Sequence, residues 1–484
     1  MNRGAEIAIV GAGFAGLGMA IQLRRAGIDD FTILERAGDV GGIWRDNTYP
    51  GCACDIPSVL YSYSFARGDG WTRRFPRRDE IWNYLRDCAR RYDVERHVAY
   101  GCELIEARYD EAQARWELRT AGGERLSPRW LILAMGALNR PAVPPIAGLE
   151  RFAGAQFHSS QWDAAFDPRG KRVAVIGTGA SAVQLVPEIA PLAGSLVLYQ
   201  RTPPWILPRG DRAVGDLGRR AWRVPGIAGL MRALVFWSLE LRALGFLGDR
   251  RLLAAGEKLA LRFLEREIAD PHLRRQLTPQ YRLGCKRVLL SDDYYATLQR
   301  PNVELVTAPI ARVRERAIVT EDGIERPADA VVFATGFRAT EGLGSVRIFG
   351  KGGRELADAW REGMEAYLGS TATGFPNLFM LIGPNTGLGH NSMILMMEAQ
   401  YRYVLCALRS LRRRGAREFD VLAGAQAAYN ERLQRRLKRT VWSSGCSSWY
   451  LDRSGKNTTL WPGFTLSFRR ATRRFDEKNY TLSS

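Results

Sequence analysis

The chain has 484 residues, 46% of them hydrophobic, which is enough for two or three domains with their own cores and excludes a disordered tail or a small stapled scaffold. Its 70 Lys and Arg against 51 Asp and Glu give a formal charge of +19, a balance that fits nucleic acid, an anionic membrane or a polyanionic ligand equally well. Much of the excess lies in helix-like runs such as Arg412 to Arg414 and Arg435 to Arg439, which read as solvated faces.

From Glu6 the chain reads IAIV as a buried strand, GAGFAG (Gly11 to Gly16) as a glycine turn, an apolar-periodic helix to about Ala26, and FTILE as a second strand ending at Glu35. Gly11 permits the tight turn, Gly13 lets the backbone approach a pyrophosphate, and Gly16 allows the helix to pack on its strand. Glu35, about 20 residues beyond, supplies the carboxylate for ribose hydroxyls, with Arg36 beside it. Seven cysteines without a CxxC pair, and no signal-like segment ahead of Ile7, predict a reducing cytoplasm and no disulfide framework. Only four histidines are present and none is near Cys52 and Cys54, so no metal site is expected.

Pro-rich punctuation from Pro141 to Pro145 closes the first half. A second strand, glycine turn and helix begin at Val173, with Gly177, Gly179 and Ser181 in GTGASA and a strand, LVLYQ, up to Gln200. The next position is Arg201, followed by Thr202, where a plain adenosine ribose would call for an acid; arginine suits a 2'-phosphate. FAD in the first unit and NADPH in the second imply hydride transfer from nicotinamide to flavin.

The stretch from Pro225 to Gly248 is apolar but carries Arg232, Glu240 and Arg242, too interrupted for a membrane span. A packed helical subdomain accounts for it; a tunnel wall around Phe236 and Trp237, or a sticky surface, are the alternatives. Short strands from Asn302 lead into DAVVFATGF (Asp329 to Phe337), then GPNTGLGHNS (Gly383 to Ser392), a long helix through Glu398 and Arg409, and an aromatic-rich end with Trp442, Trp449 and Trp461. The expected fold class is α/β, with two Rossmann-like dinucleotide-binding domains. Residues 1–147 and 337–484 form a discontinuous FAD-binding domain, and 148–336 an NADP-binding domain with a helical insertion at about 212–280.

Two segments carry a family resemblance. GGIWRDNTYPGCACDIPSVLY, with Gly42, Trp44, Asp55 and Tyr61, resembles the FAD domain of class B flavoprotein monooxygenases. FAGAQFHSSQWD matches the type I Baeyer–Villiger fingerprint F-x-G-x-x-x-H-x-x-x-W-[PD] at Phe152, Gly154, His158, Trp162 and Asp163. The likeness runs over essentially the whole chain, through GCKR (Gly284 to Arg287), ATGF (Ala334 to Phe337) and the Trp-containing end.

The resemblance implies bound FAD and NADPH and conversion of ketones to esters or lactones through a C4a-peroxyflavin stabilised by Arg287. Asp55 would hold that arginine, and Trp449 would sit at the NADP ribose. His158 would act as a hinge within the Phe152–Trp162 linker, and His390 and Met393 would border the substrate pocket. Lys286 would point away from Arg287 toward the 2'-phosphate with Arg201 and Thr202, since successive side chains alternate in an extended segment. The alternative is a heteroatom oxygenase acting on amines or sulfides; a flavin disulfide reductase is disfavoured because Cys52 and Cys54 are spaced CxC. The expected partners are a small ketone and dioxygen, with no nucleic acid, no integral membrane segment, and a monomeric or weakly homo-oligomeric state.

Overall fold

The structure is a computed structural model that describes residues 4–68, 70–341 and 344–483. The ends of the expected first domain, residues 1–3 and 484, lie outside the described residues.

Two parallel five-stranded sheets organise the molecule. In the first the order is Leu378–Met380, Trp130–Leu133, Ile7–Val10, Phe31–Leu34, Val98–Ala99. Ile7–Val10, Phe31–Leu34 and Trp130–Leu133 are buried along their whole length, as a sheet covered on both faces requires, which explains their continuous apolar runs. The edge strand Leu378–Met380 arrives from the C-terminal part of the chain, so this unit is discontinuous in sequence. The second sheet has the order Val303–Val306, Ser195–Tyr199, Arg172–Ile176, Ala330–Phe333, Ala155–His158.

Each sheet feeds a helix through a glycine turn: Val10 leads to Phe14–Arg25, and Ile176 leads to Ala180–Ile189. Both helices therefore point their unpaired N-terminal amides at the carboxyl edge of a parallel sheet, where such folds bind ligands.

The helices Asp216–Arg223, Pro225–Phe246, Arg250–Glu267 and Pro271–Leu277 form the insertion in the second unit. It is fastened to the first unit by backbone bonds from Arg74 to Arg212 and from Val214 to Thr72, and by Asp211, which accepts from Arg73 and the Phe75 amide. Arg232 of the long helix is buried and donates to the carbonyls of Val59, Leu60 and Ser62. The expected packed helical subdomain is met on one side of that helix, where Leu239, Ala243 and Phe246 are buried, and not on the other, where Leu234 is 62% and Trp237 51% exposed, as the sticky-surface alternative has it. An apolar run in sequence states how greasy a helix is, not which way it faces.

A second expectation is also corrected. Cys285 and Cys446 form a disulfide across 161 positions, while Cys52, Cys54, Cys88, Cys102 and Cys406 are free. Spacing could not reveal a pair brought together only by the tertiary fold. Thiol titration of denatured, unreduced protein is expected to count the five cysteines that are free in the structure, and to reach the chain's full seven only after reduction.

Candidate active site

Gly11 and Gly177 have φ of +102° and +106°, a region that L side chains avoid. A Cβ at Gly16 would stand 1.8 Å from the Gly11 carbonyl oxygen, so helix packing alone demands glycine there. The middle glycines differ. Gly13 and Gly179 have ordinary negative φ, and a Cβ there would meet nothing within the protein closer than 3.7 Å and 4.0 Å respectively. Neither backbone strain nor packing explains these two. Space kept open at a helix N-terminus is what a pyrophosphate needs, so both cradles fit a dinucleotide.

Around the first cradle, Gly42 approaches Gly13, the Trp44 indole donates to the Tyr61 hydroxyl at 3.0 Å, and Phe14 packs edge-on against Tyr61. Glu35 is buried at the end of its strand, where it accepts from the Ala12 amide at 2.8 Å and from Ala37 at 3.0 Å. Arg45, which the sequence reading did not single out, adds an ion pair to Glu35 at 3.1 Å. Arg36 is exposed. At the second cradle the Thr178 hydroxyl donates to the Thr202 carbonyl, and Ser181 lies in the first turn of the helix, near Tyr49.

Burial and the neighbouring Arg201 both push the Lys286 ammonium below its usual range. Two cations kept side by side, with no carboxylate paired to either among the described residues, make a site for a dianion such as a 2'-phosphate. The alternation argument for Lys286 does not hold, since residues 283–286 form a turn with Gly284 at φ +87°. The turn still delivers Lys286 to Arg201 and Arg287 to the opposite unit.

There the Arg287 Nε and Nη2 both donate to a single oxygen of Asp55, at 3.0 and 2.5 Å. The Asp55 carboxylate raises the Arg287 guanidinium above its already high range, so it carries its charge at every working pH. With its side chain 31% exposed, Arg287 keeps donors free for a ligand.

The loop that carries Asp55 is gripped from the second unit. The Gln184 amide accepts from the Tyr49 hydroxyl at 2.9 Å and donates to the Ala53 carbonyl at 2.9 Å, while Arg209 donates to the Cys54 carbonyl at 2.9 Å. Tyr450 lies against Arg287 and is pushed up to about 12, chiefly by burial. Sequence reasoning chose its neighbour Trp449, which is 40% exposed and packs against Tyr450 at a tilt of 56°. Gln184 was also missed; its one signal was a lone amide on the apolar side of ASAVQLVPEI.

His158 is buried, with burial holding it below its usual range. Its Nδ1 meets Ser160 and its ring packs edge-on against Phe337. Phe152 is in the core. Gly154 is required because a Cβ would come within 2.4 Å of the Asp329 carbonyl, and Trp162 packs on Phe157. The fingerprint thus ties the two crossings between the units together.

His390 is buried with its Nε2 3.5 Å from the Glu240 carboxylate, and the Met393 sulfur accepts from the Leu388 amide. Burial would raise Glu240, but His390, the Leu466 amide and Asn391 outweigh it and bring the carboxyl down to about 2.

Two dinucleotide cradles facing one cross-unit Arg–Asp pair define an oxidoreductase that brings a nicotinamide and a second dinucleotide together. Residues 8–211 match the pyridine nucleotide-disulphide oxidoreductase family model. A Baeyer–Villiger monooxygenase of Pseudomonas aeruginosa is 49% identical over 485 residues, covering 100% of this chain and 92% of the relative. Among solved structures, an oxidised steroid monooxygenase bound to NADP superposes with a TM-score of 0.89 at 30% identity, covering 99% of each chain. A closed cyclohexanone monooxygenase superposes with 0.90 at 27% identity, covering 100% of each. The chain belongs to the Baeyer–Villiger monooxygenase family.

Gly179→Ala is expected to raise KM for NADPH by roughly tenfold or more, about 1.4 kcal/mol, with an unchanged melting temperature. Gly16→Ala is expected instead to lower the melting temperature and the flavin-to-protein ratio together. Because Glu240 is depressed, its stabilisation is fully present above its unfolded value of 4.5 and is lost as pH falls toward 2. The melting temperatures of the wild type and Glu240→Gln are therefore expected to differ by a constant amount at neutral pH and to converge in acid.

Proposed function

We propose that the chain inserts one oxygen atom from dioxygen beside a ketone carbonyl to give an ester or lactone, with Arg287 and Asp55 as its catalytic residues. FAD and NADP(H) are its cofactors, and monooxygenation is the family's chemistry. Held by Gly11, Gly13, Gly42 and Glu35, bound FAD would supply a hydride acceptor for NADPH and the means of activating dioxygen.

The Arg287–Asp55 contact carries this reading. Negative charge that develops during oxygen insertion needs a donor that cannot lose its proton and that already points at the site, and a guanidinium meets both conditions. Asp55 fixes the arginine through one oxygen and leaves the remaining N–H groups available. Arg201 and Lys286, with Thr202, hold the 2'-phosphate. Gly13, Gly42, Trp44 and Tyr61 bound the flavin cradle, with Glu35 and its partner Arg45 at the ribose end.

Trp449 and Tyr450 cover the nicotinamide side of Arg287. His158, Phe152, Gly154 and Trp162 couple the position of residues 148–336 to residues 1–147 and 337–484, the NADP- and FAD-binding domains. His390 and Met393 shape the pocket wall from behind, since His390 is engaged by Glu240. The enzyme works in the cytoplasm as a monomer or weak oligomer.

The test is turnover of the holoenzyme with NADPH, isotopically labelled dioxygen, and linear, cyclic and aryl ketones beside one thioether and one amine. Esters or lactones with one labelled oxygen are expected; labelled sulfoxide or N-oxide with no ester would replace the proposal by heteroatom oxygenation. Arg287→Ala is expected to lose about 100- to 1000-fold in ester formation while keeping NADPH-driven flavin reduction. Full oxygenation by that variant would remove Arg287 from the mechanism.

A further inference from the structure

The helix Pro225–Phe246 is amphipathic in the wrong sense for water. Ile227, Leu230, Leu234, Trp237, Leu241 and Leu244 are all exposed and recur at alternating steps of three and four, which places them on one line along the helix. The opposite face buries Arg232 on the carbonyls of Val59 to Ser62, and the flank buries Glu240 beside His390 and Asn391. These inward hydrogen bonds fix the helix rotation, so the apolar line cannot roll under. The next helix, Arg250–Glu267, adds exposed Leu252 and Leu259.

Beside this helix runs a basic groove. The Leu466 amide, in the short helix Thr465–Ala471, donates to Glu240 at 3.1 Å, and Leu466 itself is exposed. Arg469 and Arg470, three and four positions on, share its face. With Arg473, and with Glu398 and Arg402 of the helix Met393–Arg414, they line a groove of about 410 Å³. Among the described residues the side chains of Arg402, Arg470 and Arg473 make no hydrogen bond or ion pair. Arg409 and Arg412 extend the basic row along the same helix.

We propose that this face docks the protein on an anionic lipid bilayer. The leucine line would enter the acyl boundary, Trp237 would lie at headgroup depth, and the unpaired guanidiniums would meet lipid phosphates. A second copy matches the apolar line but sets one basic groove against another, between chains that each carry +19. A soluble acidic peptide matches the arginines and leaves the leucines wet. No single helix among the described residues is long and apolar enough to cross a membrane, and although Asp216–Trp222 with Gly226–Phe246 passes that test as a pair bent by 95°, Arg232 and Glu240 hold the helix on the protein, so the surface lies on the bilayer. This surface would bind a bilayer whatever reaction the protein catalyses.

The test is flotation of the FAD-loaded protein with vesicles of phosphatidylcholine, alone or with roughly a third phosphatidylglycerol. Binding to the anionic vesicles that weakens as salt rises is expected. Leu230→Ser/Leu234→Ser/Trp237→Ser and, separately, Arg469→Glu/Arg470→Glu are each expected to cut the bound fraction about tenfold or more. Both are expected to turn over a water-soluble ketone in vesicle-free buffer at the wild-type rate. No flotation with anionic vesicles, or equal flotation of wild type and both variants, overturns the proposal. So does a sedimenting dimer that the triple variant dissolves while no vesicle binding is seen, which would give the face to a second copy.

Discussion

Everything in the site is arranged around one contact, the two N–H groups of Arg287 on a single oxygen of Asp55, between residues 232 positions apart. Neither partner sits on a rigid element. Asp55 follows a loop steadied by Gln184 and Arg209 from the other unit, and Arg287 follows a turn whose Cys285 is bonded to Cys446. The pair is therefore only as well placed as the junction between the two sheets, and many contacts outside the pair bear on its geometry.

What could be read from the sequence was whatever local backbone chemistry decides. The glycine turns at Gly11 and Gly177, the strands around them and the acid at Glu35 each follow from constraints within about 30 residues, and they stand where the pattern put them. Arg287 and Asp55 were identifiable only through a family likeness, because nothing in either segment alone says that they meet. Gln184, Arg45 and Tyr450 escaped for the same reason in stronger form: each is defined by a partner from a distant part of the chain. The Cys285–Cys446 bond is the extreme case, since its two halves lie in unrelated motifs.

The helical insertion shows a different kind of illegibility. Its composition is plain in the sequence, yet the direction it faces is set by where Arg232 and Glu240 find partners, and those partners are backbone groups and side chains of the other unit. A reader of periodicity assumes that apolar residues point inward. Here two buried polar anchors decide the rotation, and the apolar line follows as a consequence.

The grip of Gln184 on Tyr49 and Ala53 has an implication of its own. Its hydrogen bonds join neutral groups, so neither ionic strength nor protonation across the physiological range acts on it directly. The ion pair beside it is responsive to charge, while this part of the frame that holds it is indifferent. Electrostatic change caused by an arriving anionic cofactor can then be taken up by Arg287 locally, without loosening the seam against which it moves.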